Sequence, residues 1–350
     1  MPPTMDVFVL GEAAGSPYEF VEPKWPITMQ VIPTGMATCR DLARSPLSSR
    51  ISDGDGEFVA IVPGSDRESL VQVYILTLSV GDDRDDSRGA SLMVERIDPG
   101  LPQDPIRSVG GHDFRIMLGP RAVHGPVVFR RCKYKQVGVF RPVSEPIWDW
   151  VLRAASAGQG IDSTPVPDTR DSSACRLPLL APPRPAKESD WLLEHLTAFS
   201  PEKFCINLRV KPASKIDEIA LRAGLFQWHD FLDESHELSQ SIEGQGENQL
   251  GDYWHAIMHR REPDYSNAKY WFRRIGNQPI YRELRLYADG VLEKSTAAEA
   301  PKWRERLVAG SKWDPFAFVD MCEECAQDET TELALAARRI QYAEMSMLIM

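Results

Sequence analysis

One stretch of the chain, residues 225–276, holds four of the seven histidines and three of the nine tryptophans. Apolar residues recur at helical spacing on both sides of a polar, glycine-containing segment at 243–251. Ser214 and Asp217 fit a capping box at the start of the first helical pattern, and Pro263 stops the second. The pattern therefore predicts one helix over 214–242 and another from Asp252, and the short loop makes them antiparallel neighbours.

Each predicted helix carries a stripe of imidazole and carboxylate side chains. The candidate metal ligands are His229, Asp233 and His236 on the first helix and Asp252, His255 and His259 on the second. Residues three, four or seven apart share one face of a helix, so the two stripes can converge on one point. Neutral imidazole and carboxylate are ligands for zinc, iron or manganese, and the spacing therefore predicts a divalent metal site.

Known metal motifs match this region only in part. Asp233 with His236, and Asp252 with His255, repeat a carboxylate-x-x-His spacing that di-metal helix bundles use with glutamate. The zincin pattern H-E-x-x-H is absent, and the His229-Asp230 pair of HD-type phosphohydrolases lacks identified partners. The alternative interpretation is a buried polar network that fixes how the helices pair.

Basic and aromatic residues interleave immediately after the second histidine stripe. The candidate anion-binding residues are Arg260, Arg261, Lys269, Arg273 and Arg274. Guanidinium groups bind phosphates and carboxylates, so the segment predicts an anionic small-molecule ligand. The alternative is that these cations pair with nearby acids such as Glu262 and Asp264. Glu262 and Asp230 are the candidates for proton transfer.

The string GDYWHAIMHRREPDYSNAKYWFRRIG, with WHDFLDESHELSQSIEG upstream, resembles a segment of a family of uncharacterised bacterial proteins. The resemblance runs from about residue 187 to the end and takes in KWDPFAFVDMCEEC. It does not extend to the first 150 residues. No activity is known for that family, so the resemblance implies none.

Composition limits the partners and the compartment. The chain has no run of eighteen apolar residues and no basic-then-apolar start, so neither a membrane span nor a signal peptide is expected. A net charge of -11 argues against broad nucleic-acid binding but leaves a protein partner open. Six scattered cysteines form no disulfide framework and favour a reducing cytoplasm.

The two ends of the chain differ in pattern, which predicts an α+β protein. Short alternating or apolar runs up to about residue 142 favour an N-terminal antiparallel β-rich sandwich or barrel, with a domain at 1–156. A proline-rich linker is predicted at 157–188 and a mainly α-helical domain at 189–350. The last helical pattern ends without a cap, so the natural chain is expected to continue.

Two function classes stay open, and whether the protein is an enzyme is undecided. In the first, the helical domain is a metal-dependent hydrolase acting on an anionic small molecule. In the second, it is a non-enzymatic binding module with a buried His/carboxylate network and an Arg/aromatic docking patch. The metal hypothesis predicts that His236 and His255 approach each other, with His229 or His259 close by.

Overall fold

The computed structural model describes residues 4–11, 27–33, 47–62, 88–94, 117, 123–165, 177–200, 213–308 and 312–349. The chain divides into two compact units. The first comprises residues 1–96, 110–168 and 188–209, and the second comprises 97–109, 169–187 and 210–350. Within the described ranges, none of the helices combines the length and the apolar character that a membrane span requires.

The first unit contains a six-stranded mixed sheet of order β2-β1-β3-β5-β4-β6. The strands are β1 (Met5–Gly11), β2 (Ile27–Pro33), β3 (Phe58–Val62), β4 (Arg88–Val94), β5 (Val123–Arg130) and β6 (Gly160–Pro165). Strand β1 pairs in parallel with β2 and β3, and β4 pairs in parallel with β6. Strand β5 lies antiparallel between β3 and β4.

The predicted antiparallel sandwich or barrel is wrong, because the described strands form one open mixed sheet and the described chain is mainly helical. Strand β3 has the sequence FVAIV, and all five of its residues are buried. A strand buried on both faces belongs inside a covered sheet, where parallel neighbours come from segments distant in sequence. Short apolar runs look the same in both sheet types, so periodicity did not distinguish them.

Four helices of the described residues accompany the sheet: α1 (Leu47–Asp53), α2 (Arg131–Val137), α3 (Pro146–Ser156) and α4 (Asp190–Thr197). Phe129 of β5, Tyr134 of α2 and Trp150 of α3 form an aromatic core, with 4.7 Å between the Phe129 and Trp150 ring centroids. The indole N–H of Trp150 donates to the carbonyl of Gly138 at 3.0 Å. Helix α4, which the predicted domain limits assign to the C-terminal helices, lies in this first unit.

In its described residues, the second unit is built from helices. They are α5 (Lys215–Trp228), α6 (Leu232–Ser241), α7 (Leu250–Arg261), α8 (Tyr265–Ile275), α9 (Tyr281–Lys294), α10 (Ala300–Val308), α11 (Pro315–Cys325) and α12 (Glu332–Ile349). The predicted cap at Ser214 is confirmed, since its hydroxyl accepts from the backbone N–H of Asp217 at 3.2 Å.

The single helix predicted over 214–242 is wrong. Helix α5 ends at Trp228, and Asp230 adopts a left-handed conformation with φ 68° before α6 begins. The carboxylate of Asp230 accepts from Arg261 at 2.6 Å, and the same guanidinium donates to the carbonyl of Gln227. A buried cation 31 residues later therefore stabilises the turn, and helical periodicity cannot reveal it.

Helix α7 is the buried centre of the second unit, with every residue from Gly251 to Arg261 buried. Gly224 of α5 packs against Trp254 of α7, and a Cβ atom at Gly224 would lie 2.5 Å from the indole ring. Glycine therefore permits the close approach of α5 and α7. This approach contributes to the position of the histidines on α7.

Two parts of the predicted linker have defined structure. Residues 160–165 form strand β6. In the segment 177–187, the backbone N–H groups of Leu180 and Ala181 donate to the carboxylate of Glu329 at 2.9 and 3.0 Å. The amide of Gln341 donates to the Leu179 carbonyl at 3.0 Å. Proline-rich sequence therefore lies against the α12 region, because side chains of the second unit satisfy its backbone.

Candidate metal centre

Three histidines of the second unit face one another. His236 lies on α6, and His255 and His259 lie one turn apart on α7. The ring centroids are 4.7 Å apart for His236 and His255, 5.4 Å for His236 and His259, and 4.8 Å for His255 and His259. The predicted approach of His236 to His255, with His259 close by, is confirmed.

His255 is the most unusual member of this cluster. Its side chain is buried, with 2% of the residue exposed, and within the described residues neither ring nitrogen has a hydrogen-bond partner. Its ring stacks on Trp271 of α8 with centroids 4.0 Å apart. Buried polar atoms without partners are rare and destabilising, so they require a physical explanation. A metal ligand is one, because a neutral imidazole offers a lone pair.

The cluster holds His255 and His259 in the neutral form. Burial, joined by the charges of the other two histidines and of Arg274, lowers the pKa of His255 from 6.5 to about 3. Burial and the charge of His236 likewise lower the pKa of His259, against the opposing effect of nearby acids. Neutral imidazole is the form that binds a metal ion. The electrostatic setting therefore suits metal ligation at neutral pH.

His259 has polar neighbours that can fix its ring. The carboxylate of Glu262 lies 3.5 Å from Nδ1, and that of Asp264 lies 4.0 Å from it. The side-chain amide of Asn267 lies 3.0 Å from Nε2. A carboxylate beside one ring nitrogen orients an imidazole and leaves the other nitrogen for a metal. Asn267 holds the second position here, so its amide must move or turn its oxygen toward an ion.

The spacing of the ligand nitrogens permits a shared ion after a small movement. The three nitrogens lie within 4.8 Å of one another. Zinc–nitrogen bonds of about 2.0–2.1 Å at tetrahedral angles place two nitrogens on one ion about 3.4 Å apart. The widest pair must therefore close by about 1.4 Å, which side-chain rotation can supply. The residues present fit a three-histidine site.

The other three predicted ligands lie outside this group. Asp233 is exposed in the first turn of α6 and pairs with Arg184 at 3.3 Å. Asp252 is buried, but its carboxylate accepts from the backbone N–H of Gly244 at 3.0 Å and closes the loop before α7. His229 caps the C-terminus of α5. The break between α5 and α6 removed it from the predicted stripe.

The two candidates for proton transfer have different surroundings. Glu262 has a half-exposed carboxylate next to His259. Asp230 is held by the buried guanidinium of Arg261. Of the two, Glu262 has the geometry for chemistry at the cluster, and Asp230 stabilises the turn between α5 and α6.

Most of the predicted anion-binding residues bind acids or carbonyl groups of the protein itself. Arg260 is fully buried, pairs with Glu344 at 2.5 Å and lies over the Phe318 ring. Arg261 is also fully buried, and it donates to the carbonyl of Leu179 in addition to the partners described above. These two side chains contribute to the interior of the second unit.

The remaining cations of that set lie on α8. Lys269 pairs with Asp320. Arg273 is exposed and lies 5.9 Å from the centroid of the Phe316 ring. Arg274 pairs with Glu243 at 2.5 Å and lies over Trp271, the residue that stacks on His255. Arg274 is therefore linked to the histidine cluster through one indole ring.

Sequence spacing missed two neighbours of the cluster, Trp271 and Asn267 of α8. The sequence feature that could have found them is the N-cap of α8. The side chain of Asp264 accepts from the backbone N–H of Asn267 at 3.2 Å and fixes the first turn of that helix. Only three residues lie between the end of α7 at Arg261 and the start of α8 at Tyr265. A tight connection of this kind brings the next helix beside the preceding one.

A polar cluster around Asp149 lies in the first unit. The fully buried carboxylate of Asp149 on α3 accepts from Arg141, Arg153 and His195, with 3.0 Å to Nε of each arginine and to Nε2 of His195. Burial alone would raise the pKa of Asp149, but hydrogen bonds from His195 and Arg141 and the charge of Arg153 hold it well below its usual range. This carboxylate therefore accepts hydrogen bonds from three side chains.

No family model and no curated protein sequence matches the chain. A solved structure with a distant likeness is a mannosyltransferase from Pyrobaculum calidifontis in complex with GDP-Man and Mn2+. It shares 13% sequence identity with this chain at a TM-score of 0.33, and the match covers 95% of this chain and 89% of that one. A likeness at this TM-score indicates neither a shared fold nor a shared function. The resemblance to the bacterial family stays a prediction.

Proposed function

We propose that the second unit binds one divalent transition-metal ion through His236, His255 and His259 and acts as a metal-dependent hydrolase on an anionic small molecule. One observation carries this proposal: the buried His255, whose ring nitrogens have no partner within the described residues, faces two further imidazoles. Imidazole ligands of this kind suit zinc or iron. Three protein ligands with a further position open are typical of catalytic zinc sites.

The residues around the cluster have separate roles in this proposal. A bound ion would supply Lewis acidity to the substrate. The carboxylate of Glu262 lies 3.5 Å from Nδ1 of His259, and its half-exposed side chain would turn from that ring to take the proton that the attacking water loses. Trp271 covers one face of His255 and excludes solvent from it.

Metal binding is tested on the purified full-length chain. Metal analysis and calorimetric titration with Zn2+ should give one ion per chain, and His255→Ala should weaken binding at least about 100-fold because a ligand is lost. His195→Ala is the matched control, since this histidine bonds a carboxylate in the first unit. Equal metal binding by wild type and His255→Ala would contradict the proposed site.

Hydrolysis is tested separately from metal binding. The metal-loaded protein is assayed with p-nitrophenyl phosphate, and Glu262→Gln should lower turnover about 100-fold or more while the metal content stays unchanged. Loss of turnover and metal together would make Glu262 a support for the ligands only. A metal-loaded wild type without turnover on phosphate or carboxylate esters would reject the hydrolase.

A second candidate function is a non-enzymatic binding module. The contacts of the cluster favour it, because Trp271 stacks on His255 and Asn267 lies against His259, so the rings tie α7 to α8 without an ion. In this case the arginines and aromatics of α8 serve to dock a protein partner. The purified protein would then contain no metal, and zinc would leave its melting temperature unchanged.

A further inference from the structure

Arg274 and Tyr270 form a cationic and aromatic surface beside the histidine cluster. The guanidinium of Arg274 lies 4.7 Å from the ring centroid of Trp271, and Trp271 stacks on His255 at 4.0 Å. The guanidinium of Arg274 therefore contacts one ring, the indole of Trp271, which in turn contacts the imidazole of His255. Tyr270 is 47% exposed, and its hydroxyl accepts from Arg274 at 3.3 Å.

The acidic partner of Arg274 is replaceable. Glu243, in the loop between α6 and α7, pairs with Arg274 at 2.5 Å, and both side chains keep more than a third of their surface exposed. Ion pairs of such exposure contribute little to stability. A phosphate group carries more charge than a carboxylate and accepts two parallel N–H bonds from a guanidinium, so it can displace Glu243.

The other cations of this region are less suited to a ligand. Arg260 and Arg261 are fully buried and bind groups of the protein interior. Lys269 shares the carboxylate of Asp320 with Arg306. Arg273 lies over Phe316, whereas Arg274 lies over the tryptophan that contacts the histidine cluster. Geometry therefore selects Arg274.

We propose that Arg274 and Tyr270 form the substrate subsite of the metal centre, in which a ligand phosphate replaces Glu243 on Arg274 and a flat ring of the ligand stacks on Tyr270. The ligand class is a phosphomonoester attached to an aromatic ring system, such as a nucleoside monophosphate. Exposed tyrosine rings stack on nucleobases, and guanidinium groups bind phosphates bidentately. This inference rests on the proposed function, because the reacting bond must reach the metal centre.

The subsite is tested by calorimetric titration of the zinc-treated full-length protein with AMP, inorganic phosphate and adenosine. Arg274→Ala should weaken AMP binding about tenfold or more, since the charged hydrogen bonds are lost. Glu243→Gln should tighten AMP binding severalfold, because the competing carboxylate is gone. Tyr270→Ala should weaken binding of AMP and adenosine but leave inorganic phosphate unchanged.

Arg304→Ala is the matched control. Arg304 pairs with Asp289 at 2.6 Å on the surface of the same unit, and this pair is exposed to a similar extent as the pair of Arg274 and Glu243. The control should bind AMP like wild type. Equal losses in Arg274→Ala and Arg304→Ala, no gain in Glu243→Gln, or a wild type that binds no AMP would each overturn the subsite.

Zinc content, measured on every sample, separates this inference from the proposed function. A chain that binds zinc but not AMP overturns the subsite alone. A chain that binds AMP through Arg274 without zinc keeps a phosphate site at Arg274 but overturns the metal centre, and with it the assignment of that site as the substrate subsite.

Discussion

Two polar clusters of the described chain, one around Asp149 in the first unit and one of three histidines in the second, have opposite surroundings. In the first unit, His195 bonds a buried carboxylate that two arginines also bind, so charge and hydrogen bonds balance without a ligand. In the second unit, His255 faces two imidazoles and a tryptophan, and its nitrogens have no partner in the described chain. His195 and His255 therefore differ in their supply of hydrogen-bond partners more than in burial.

The largest expected effect belongs to the first cluster. Asp149→Ala should destabilise helix α3 by about 3–5 kcal/mol, because it leaves the charges of Arg141 and Arg153 without their carboxylate. Native-state hydrogen exchange of peptides covering Pro146–Ser156 measures this change. A loss below about 1 kcal/mol would show that the cluster is not a structural ion pair.

The next effect belongs to the second cluster and requires metal. At a zinc concentration 100 times the Kd, the wild type should gain about 2.7 kcal/mol in its free energy of unfolding. His236→Ala should show no such gain, because one of three ligands is missing. Denaturant unfolding with zinc and with a chelator gives both values. His195→Ala should respond like wild type, and equal gains in all three proteins would remove the contrast between the clusters.

Acid should affect the two clusters in different pH ranges. His255 has a pKa of about 3 in the folded protein and 6.5 ordinarily, so between these values the unfolded chain binds a proton that the folded chain does not. Stability therefore falls as pH falls from 6.5 toward 3, by up to about 1.4 kcal/mol per pH unit from this group. Asp149 keeps its full contribution above its ordinary pKa of 3.8 and loses it only below.

Denaturation of the metal-free protein at pH 7, 5.5 and 4.5 measures this difference. His255→Phe preserves a flat ring on Trp271 and should flatten the dependence between pH 6.5 and 4.5. An equally steep slope in the variant would place the responsible group elsewhere.

The smallest effect concerns the surface pair of Arg274 and Glu243. A double-mutant cycle with both alanine substitutions should give an interaction energy of at most about 1 kcal/mol, because both groups are solvent-exposed. Thermal or denaturant unfolding at low and high salt measures it. A larger interaction energy that does not depend on salt would show that this pair stabilises the fold as strongly as the ion pairs of Asp149.

Helical spacing predicted the position of α7 and the meeting of His236 with His255, because residues at fixed intervals on neighbouring helices share a face. It did not predict the turn at Asp230, whose stabilising partner Arg261 lies 31 residues later. Trp271 and Asn267 were not assigned to the cluster, since spacing within one helix does not show which side of it contacts another.

The fold of the first unit was less accessible to sequence reasoning than the second. Strand β1 pairs in parallel with β2 and β3, and nothing within a short apolar run encodes the direction of its neighbour. Buried charges were missed for a similar reason. In the sequence, Asp149 looks like any surface acid of an amphipathic helix. Its partners Arg141 and His195 are 8 and 46 residues away, and only the folded chain brings them beside it.

Arg261 has a consequence for how the chain is made. Its guanidinium joins the turn at Asp230, 31 residues before it, and the carbonyl of Leu179, 82 residues before it. At a synthesis rate of about 5–20 residues per second, Leu179 waits about 4–16 s before this partner is translated. During that interval, and until Glu329 and Gln341 are translated, the segment 177–187 lacks the side chains that fix it.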